Sequence, residues 1–421
     1  MNIVSINTLD TRGGGSRLAY DLQNRLISRE HSASLFVGKK YSKDPNVHFV
    51  QRYGALWRSI KEKTGKDIPR RMRKIINSVF PSGIDFFNMK GLLKSPEYAQ
   101  ADIIHCHNLH GNYFNLSSLV GMAREKPIVW TLHDMWAITQ GCPHAFDGKL
   151  SDGFYECPRS TMTPNYSWRN GRYLMNKKRR VYAKTPMHIV TPARWLKEKI
   201  EYSVLGDHPV HLIHNGVDAD IYGPQPRDEA RKKLELPLSA KIILFAAYKG
   251  RTNPWKGWEH VLKIMEHFKN DPDVILLCVG EEASDRGVDT KQVRYIPYAD
   301  DKKTMVAYYN AADLLIFTSI AETFPLVILE AMACGLPIVS FNVGGVTDAL
   351  IHKGNGYIAK YGDTEDIIRG VDWIFSLDRT AIKAMGERSV ARIREHFTLD
   401  IMTDAYIKLY AQAIEEYRER A

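Results

Sequence analysis

Cysteine is scarce in this chain. Five occur in 421 residues, at 106, 142, 157, 278 and 334. An odd, scattered set of that size is no disulfide framework, and it is expected in a reducing compartment. Long apolar runs are missing too. The longest, such as IILFAAY (242–248) and VILLCV (274–279), fall far short of the ~20 residues a membrane-spanning helix needs. The opening MNIVSINTLD has no basic segment followed by an apolar stretch, so no secretory leader is expected. Short-period repeats and low-complexity tracts are absent. These absences give the expectation of a cytoplasmic protein.

What is present is ordinary globular composition, 44% hydrophobic and 25% charged, which excludes wholesale disorder. A chain of 421 residues exceeds one ordinary core, so two or more domains are expected. The net charge of +10 favours anionic partners: phosphates, nucleic acid or an anionic membrane surface.

Short apolar runs alternate with helical patterns along the whole chain. NIVSIN (2–7), SASLFVG (32–38), ADIIHCHN (101–108), PIVWTLHD (127–134) and MHIVTPA (187–193) read as strands buried on both faces. The pattern restarts with KIILFAAY (241–248), VILLCVG (274–280), VRYIP (293–297), DLLIFTS (313–319), LPIVSFN (336–342) and GYIA (356–359). Strands alternating with helices predict parallel sheets with right-handed crossovers. HNGVDADIYGPQP (214–226) is rich in turn formers and reads as the connection between domains. The expected fold is α/β: two doubly wound Rossmann-like domains facing across a cleft. They are assigned to residues 1–215 and 216–395, with a C-terminal helix (396–421) packing back on the first. Ligands of such sheets sit at the carboxyl ends of strands.

AETFPLVILEAMA (321–333) places Glu322 and Glu330, with seven residues between them, around a mostly apolar run. Pro325 suits the first helical position, and Gly335 with Pro337 closes the helix. Glu322 therefore lies just before a helix N-terminus and Glu330 inside the helix. The N–H groups near residues 324–327 have no intrahelical acceptor and attract anions. A sugar supplies hydroxyls for the carboxylates, and a nucleotide diphosphate supplies the anion. The bland reading makes Glu322 a helix-start acid and Glu330 a satisfied buried acid.

ETFPLVILEAMACGLPIVSFNVGG (322–345) resembles the E-x7-E signature of retaining GT-B glycosyltransferases of family 4. The likeness extends through Phe324, Pro325, the EAMACGLP run and Gly344-Gly345. It implies that Glu330 holds the donor ribose and that Glu322 contacts the transferred sugar. The backbone of Thr323, Phe324, Pro325 and Leu326 would line the donor. KGRTNPWKG (249–257) resembles the family's G-R-x4-K-G donor-phosphate motif. Arg251 and Lys256 would supply the fixed positive charge that a diphosphate leaving group needs. The family uses them where other transferases use a metal ion, so neither metal nor cofactor is expected.

TRGGGSR (11–17) joins the first strand to the first helix. Its glycines allow close backbone approach, and the resemblance places Gly14 and Gly15 near donor phosphate and acceptor. HCHNLHGNYFNLSSL (105–119) and VWTLHDMWAITQGC (129–142) resemble the branch of family 4 that assembles bacterial exopolysaccharide and colanic-acid-type units. The likeness assigns His133 to the cleft near the sugar's 6-position, while adjacent Asp134 suggests a carboxylate orienting an imidazole. His107 and His110 join Asp134 as candidates on the acceptor side. Cys142, His144 and Cys157 invite a zinc reading, but a structural site wants four ligands. Asp348 stands where the family has the Glu of GG-x-x-E, and Gly344 and Gly345 would bring that loop close to donor phosphate.

RSIKEKTGKDIPRRMRKIINSVF (58–80) and YSWRNGRYLMNKKRRVYAK (166–184) are strongly basic. They read either as solvated helices or as attachment to anionic lipid, where a lipid-linked acceptor would wait. The expected function is retaining transfer of a hexose from a UDP- or GDP-sugar to a glycan or lipid-linked acceptor in bacterial surface polysaccharide synthesis. The location would be cytoplasmic, peripheral at the inner face of the membrane. One alternative is a glycoside hydrolase or phosphorylase using Glu322 and Glu330. The other is a basic, non-enzymatic nucleic-acid binder, disfavoured because no reader motif is present.

Overall fold

Apolar runs buried on both faces become the parallel strands of two sheets. The structure, a computed structural model, describes residues 1–50, 89–111, 113–157, 171–281, 290–297 and 301–420. The basic stretch 58–80 and the start of the second, 166–170, lie outside the described residues. The chain divides into two compact units, Met1–Ile213 with Thr403–Ala421, and His214–Met402.

The first unit holds β1 (Asn2–Leu9), β2 (Ser32–Lys39), β3 (Val47–Phe49), β4 (Ile103–Cys106) and β5 (Ile128–Thr131). A small antiparallel hairpin follows, β6 (Leu150–Ser151) and β7 (Phe154–Tyr155), then β8 (His188–Thr191) and β9 (Val210–Leu212). The sheet order is β3-β2-β1-β4-β5-β8-β9, parallel throughout. Ile3 pairs with Ala33 on one side and Ile103 on the other. The winding direction reverses between β1 and β4. That switch point is where open α/β sheets leave a crevice at their carboxyl ends. The glycine loop follows β1, and His107 and His110 follow β4.

The second unit repeats the scheme with β10 (Lys241–Ala246), β11 (Val274–Glu281), β12 (Val293–Pro297), β13 (Leu314–Phe317), β14 (Ile338–Phe341) and β15 (Tyr357–Ala359). Its order is β12-β11-β10-β13-β14-β15, again parallel. The switch point lies between β10 and β13. Arg251 and Lys256 follow β10, and Glu322 follows β13. Topology alone therefore brings two distant motifs to one crevice.

Two short edge strands, β3 and β9, were not expected from the sequence; three residues each give no readable period. The charged C-terminal stretch forms two helices, Arg379–His396 and Leu399–Arg420. From Thr403 onward the second belongs to the first unit, where Tyr406 and Tyr410 are buried.

The expectation of unpaired cysteines needs correcting. Cys142 and Cys157 are joined in a disulfide with their Cα atoms 5.8 Å apart. The fold supplies the reason: β7 pairs back through a bridge from Tyr155 to Thr139, carrying Cys157 to Cys142. Spacing along the sequence could not show that return. Neither thiolate is then available to a metal, and His144 loses both suggested partners. Cys106, Cys278 and Cys334 are buried and outside any disulfide.

Candidate functional site

In the second unit the site is built around the helix Leu326–Ala333. Pro325 is the residue just before the helix rather than its first residue, with φ −75° and ψ 123°. The difference is one position, and the start is still fixed by proline's locked φ. At the other end Leu336 N–H donates to Ala331 O and Gly335 N–H to Met332 O, both at 3.0 Å. That capping pattern needs a left-handed residue, and Gly335 has φ +73°.

Lys256 and Glu322 meet at the start of this helix. Nζ donates to Oε1 at 2.5 Å, with the side chains 23% and 17% exposed. The two loops are stitched together as well. Thr318 Oγ1 donates to Lys256 O at 2.9 Å, and Ile320 N–H to Trp255 O at 2.9 Å. Arg251 folds against aromatic rings, its guanidinium carbon 5.0 Å from the centre of Tyr295 and 5.9 Å from that of Trp258. Thr323, Phe324 and Pro325 are buried, while Leu326 is partly exposed.

Gly344 and Gly345 pack closely against the segment that carries Glu322. A Cβ on Gly344 (φ +55°) would lie 2.0 Å from Glu322 O, and Gly345 N–H donates to Thr323 O at 2.8 Å. The glycine pair thus fixes the backbone at Glu322 and Thr323. Asp348 is buried, its carboxylate 3.8 Å from His214 Nδ1.

Glu330 is 5% exposed. Its oxygens accept from Tyr222 Oη at 3.1 Å and Tyr309 Oη at 2.7 Å. Sequence reasoning missed both tyrosines. They lie 108 and 21 residues from Glu330 in the chain, and no spacing rule connects them.

In the first unit the structure gathers His107, His110, His133 and Asp134 around one small cavity, together with Trp130 and Trp136. The pairing differs from the expected one. Asp134 Oδ2 bonds His110 Nε2 at 2.7 Å, and its Oδ1 accepts from Trp136 N–H at 2.8 Å. His133 Nε2 instead bonds His107 Nδ1 at 2.9 Å. The Asp134 carboxylate thus hydrogen-bonds an imidazole from the loop after β4, while acting on adjacent His133 through its charge. Gly15 packs on His133, where an added Cβ would be 3.0 Å from the imidazole Cγ. Gly14 is exposed in the first turn of the helix Gly14–Ser28.

Behind this cluster lies a buried polar chain that sequence reasoning also missed. His105 bonds Thr131 Oγ1 and Tyr410 Oη, each at 2.7 Å, and Thr131 bonds Tyr406 Oη at 2.9 Å. The C-terminal helix thus secures the strands that carry the histidines. Lys178 is fully buried and donates to the carbonyls of Trp136 and Thr139.

Burial keeps His105, His107 and His133 neutral. It lowers His105 to about 3 and takes His107 well below the ordinary value, with neighbouring imidazoles adding to the effect; it lowers His133 to about 4 against the opposing charge of Asp134. Burial acts to raise Asp134, but His110 and the Trp136 N–H outweigh it and hold the carboxyl below its usual range. His133 thus offers a neutral hydrogen-bonding imidazole at neutral pH. Stability follows the same shifts. The unfolded chain takes up protons below about pH 6.5 while the folded cluster does not. The fold is therefore expected to lose stability as pH falls from about 6.5 toward 4, by roughly 1.4 kcal/mol per pH unit per histidine. Thermal melts of wild type and His105→Gln from pH 7.5 to 4.5 check this. The variant should show the shallower decline; equal slopes would contradict it.

No group of three His, Cys, Asp or Glu side chains converges as metal ligands among the described residues. Nor is any helix among them long and apolar enough to cross a membrane.

With the geometry in place, the chain can be set beside known proteins. Residues 12–221 match the family model described as Glycosyltransferase Family 4, and residues 226–390 that described as Glycosyl transferases group 1. The D-inositol 3-phosphate glycosyltransferase of Mycolicibacterium smegmatis is 28% identical over 50% of this chain and 49% of its own length. That of Mycobacterium tuberculosis is 26% identical over 75% and 62% respectively. The chain therefore spans about half to three-fifths of the length of these relatives. Among solved structures, sucrose-phosphate synthase from Thermosynechococcus elongatus superposes with a TM-score of 0.72 at 16% identity, covering 99% of this chain and 100% of that one. HepE from Anabaena, solved with UDP and glucose, gives 0.63 at 14% identity, covering 98% and 99%. At these identities the structural likeness speaks for the fold alone. The chain thus has the GT-B fold, two doubly wound sheets, and carries a Glycosyltransferase Family 4 domain followed by a Glycosyl transferases group 1 domain.

Proposed function

We propose that this protein transfers a hexose from a UDP- or GDP-sugar to a hydroxyl acceptor, with retention at the anomeric carbon and without a metal ion. The observation that carries the reading is the ion pair of Lys256 with Glu322, four residues before the helix Leu326–Ala333 begins. An ammonium and a carboxylate just ahead of a helix start, whose first N–H groups have no intrahelical acceptor, suit a sugar diphosphate. The HepE structures named with UDP and UDP-glucose support a nucleotide-sugar donor.

In this reading Arg251 leaves its aromatic contacts and, with Lys256, holds the diphosphate. Glu322 accepts from the sugar hydroxyls and Glu330 from the ribose. The bond between the anomeric carbon and the diphosphate oxygen breaks, and the acceptor oxygen bonds to that carbon on the same face. The acceptor proton passes to the leaving phosphate, and the nucleoside diphosphate departs. Lys256, Arg251 and the helix N-terminus offset the negative charge that develops. The backbone of Gly14 and Gly15 serves the donor phosphate and acceptor, and His107, His110, His133 and Asp134 serve the acceptor and sugar as hydrogen-bonding groups. Glu322 paired with an ammonium and Glu330 with two phenols weighs against a carboxylate-pair hydrolase. The acceptor is a glycan or lipid-linked saccharide of bacterial surface polysaccharide, reached from an anionic membrane surface in the cytoplasm, with no nucleic acid involved. The names of the curated relatives favour a second acceptor reading, a phosphorylated polyol.

The test is incubation with UDP- and GDP-hexoses and, separately, a lipid-linked saccharide and D-inositol 3-phosphate. Nucleotide release and the anomeric proton coupling of the product are followed without added metal. Acceptor-dependent release with an unchanged anomeric configuration is expected. Inversion, or sugar release from simple glycosides, would overturn the reading.

A further inference from the structure

A carboxylate that is to hold a ribose must have a fixed orientation. The terminal torsion of a glutamate is broad, so the group turns unless something holds it. Glu330 is held at both oxygens, by Tyr222 on Oε1 and Tyr309 on Oε2. The two rings lie 6.3 Å apart at an interplanar angle of 59°. Tyr309 comes from the last turns of the helix Lys302–Ala311. Tyr222 comes from the segment that opens the second unit, and that segment is itself pinned. Asn310 Nδ2 donates to Gly223 O at 3.1 Å, and its Oδ1 accepts from Gln225 N–H at 2.6 Å. Earlier in the same segment, Asn215 Nδ2 donates to Phe324 O at 2.8 Å, beside the helix N-terminus.

Simple burial of an acid needs donors, but it does not need two from separate elements. Each carboxylate oxygen accepts up to two hydrogen bonds, so a phenol on each does not exclude a ribose hydroxyl. We propose that Tyr222 and Tyr309 are positioning residues for the donor nucleotide: they fix the rotation of the Glu330 carboxylate so that it accepts from the ribose 2′ and 3′ hydroxyls. This rests on the donor reading above. It also makes the segment around residues 215–225 part of the nucleotide site, although no family motif falls there.

The experiment is calorimetric titration of the full chain with UDP or GDP, whichever binds, and with the matching 2′,3′-dideoxynucleoside diphosphate. Wild type, Tyr222→Phe, Tyr309→Phe and Glu330→Ala are compared. Each phenylalanine keeps the ring and removes one hydroxyl, and either single variant alone decides the matter if the other folds poorly. Each is expected to weaken the ribonucleotide about 3–10-fold, the effect of one lost hydrogen bond, and to leave the dideoxy affinity unchanged. A merely structural role would shift both nucleotides equally or neither, and that result overturns the proposal. If wild type fails to distinguish ribo- from dideoxynucleotide and Glu330→Ala binds normally, the donor reading has failed and the proposal falls with it. If those two controls respond and the tyrosine variants do not, the donor reading stands and only the proposal is lost.

Discussion

Lys256→Ala is expected to reduce kcat for the nucleotide-sugar by about 10²–10³-fold, the range seen when one group aimed at developing charge is removed from a site. In the proposed reading the lysine is the compact positive charge at the point where the diphosphate leaves; in the structure it faces Glu322 at 2.5 Å. Stability should hardly change. Both side chains are partly exposed, and such ion pairs contribute ~0–1 kcal/mol. The measurement is steady-state turnover beside a thermal melt. A variant that melts with wild type and turns over within threefold of it would contradict the assignment. Lys256→Arg separates charge from shape. It keeps the charge but replaces a compact head with a planar fork, so partial rescue is expected.

Gly344→Ala is expected to be the most disruptive change of a single methyl group. The added carbon would sit 2.0 Å from Glu322 O and 2.9 Å from Glu322 C. The residue has φ +55°, a region that costs an L-residue roughly 1–2 kcal/mol by itself. The backbone of Glu322 and Thr323 must shift to admit it. The loss should reach about 2–4 kcal/mol of stability, with turnover falling further than the melt implies because the carboxylate moves with its peptide. Gly14→Ala is the comparison for stability. That glycine is helical, and an added Cβ meets nothing within 4 Å, so its melt should stay unchanged or rise slightly. Equal melting points for the two variants would contradict the packing described.

Much of the fold was legible because buried parallel strands announce themselves as continuous apolar runs. VRYIP (293–297) matches β12 residue for residue, and the winding of both sheets follows from strand–helix alternation. β3 and β9 were too short to carry a period. The places of Arg251, Lys256 and Glu322 just beyond β10 and β13 were legible because apolar runs mark where those strands end. The partners of the acids were not. Tyr222 and Tyr309 reach Glu330 through tertiary packing, and His107 reaches His133 in the same way. The disulfide belongs to that class too: only the return of β7 brings Cys157 to Cys142. Local rules read what is local, and the second layer of contacts around a site is mostly not.

The central claim is that a nucleoside diphosphate binds the second unit against Glu330 and the helix that carries it. Calorimetric titration of wild type and Glu330→Ala with UDP and with GDP tests it most directly. The account predicts that one of the two nucleotides binds wild type and that the variant binds it at least about tenfold more weakly, as expected when a charged hydrogen-bond partner is lost. Binding of neither nucleotide, or equal binding by both proteins, would contradict it.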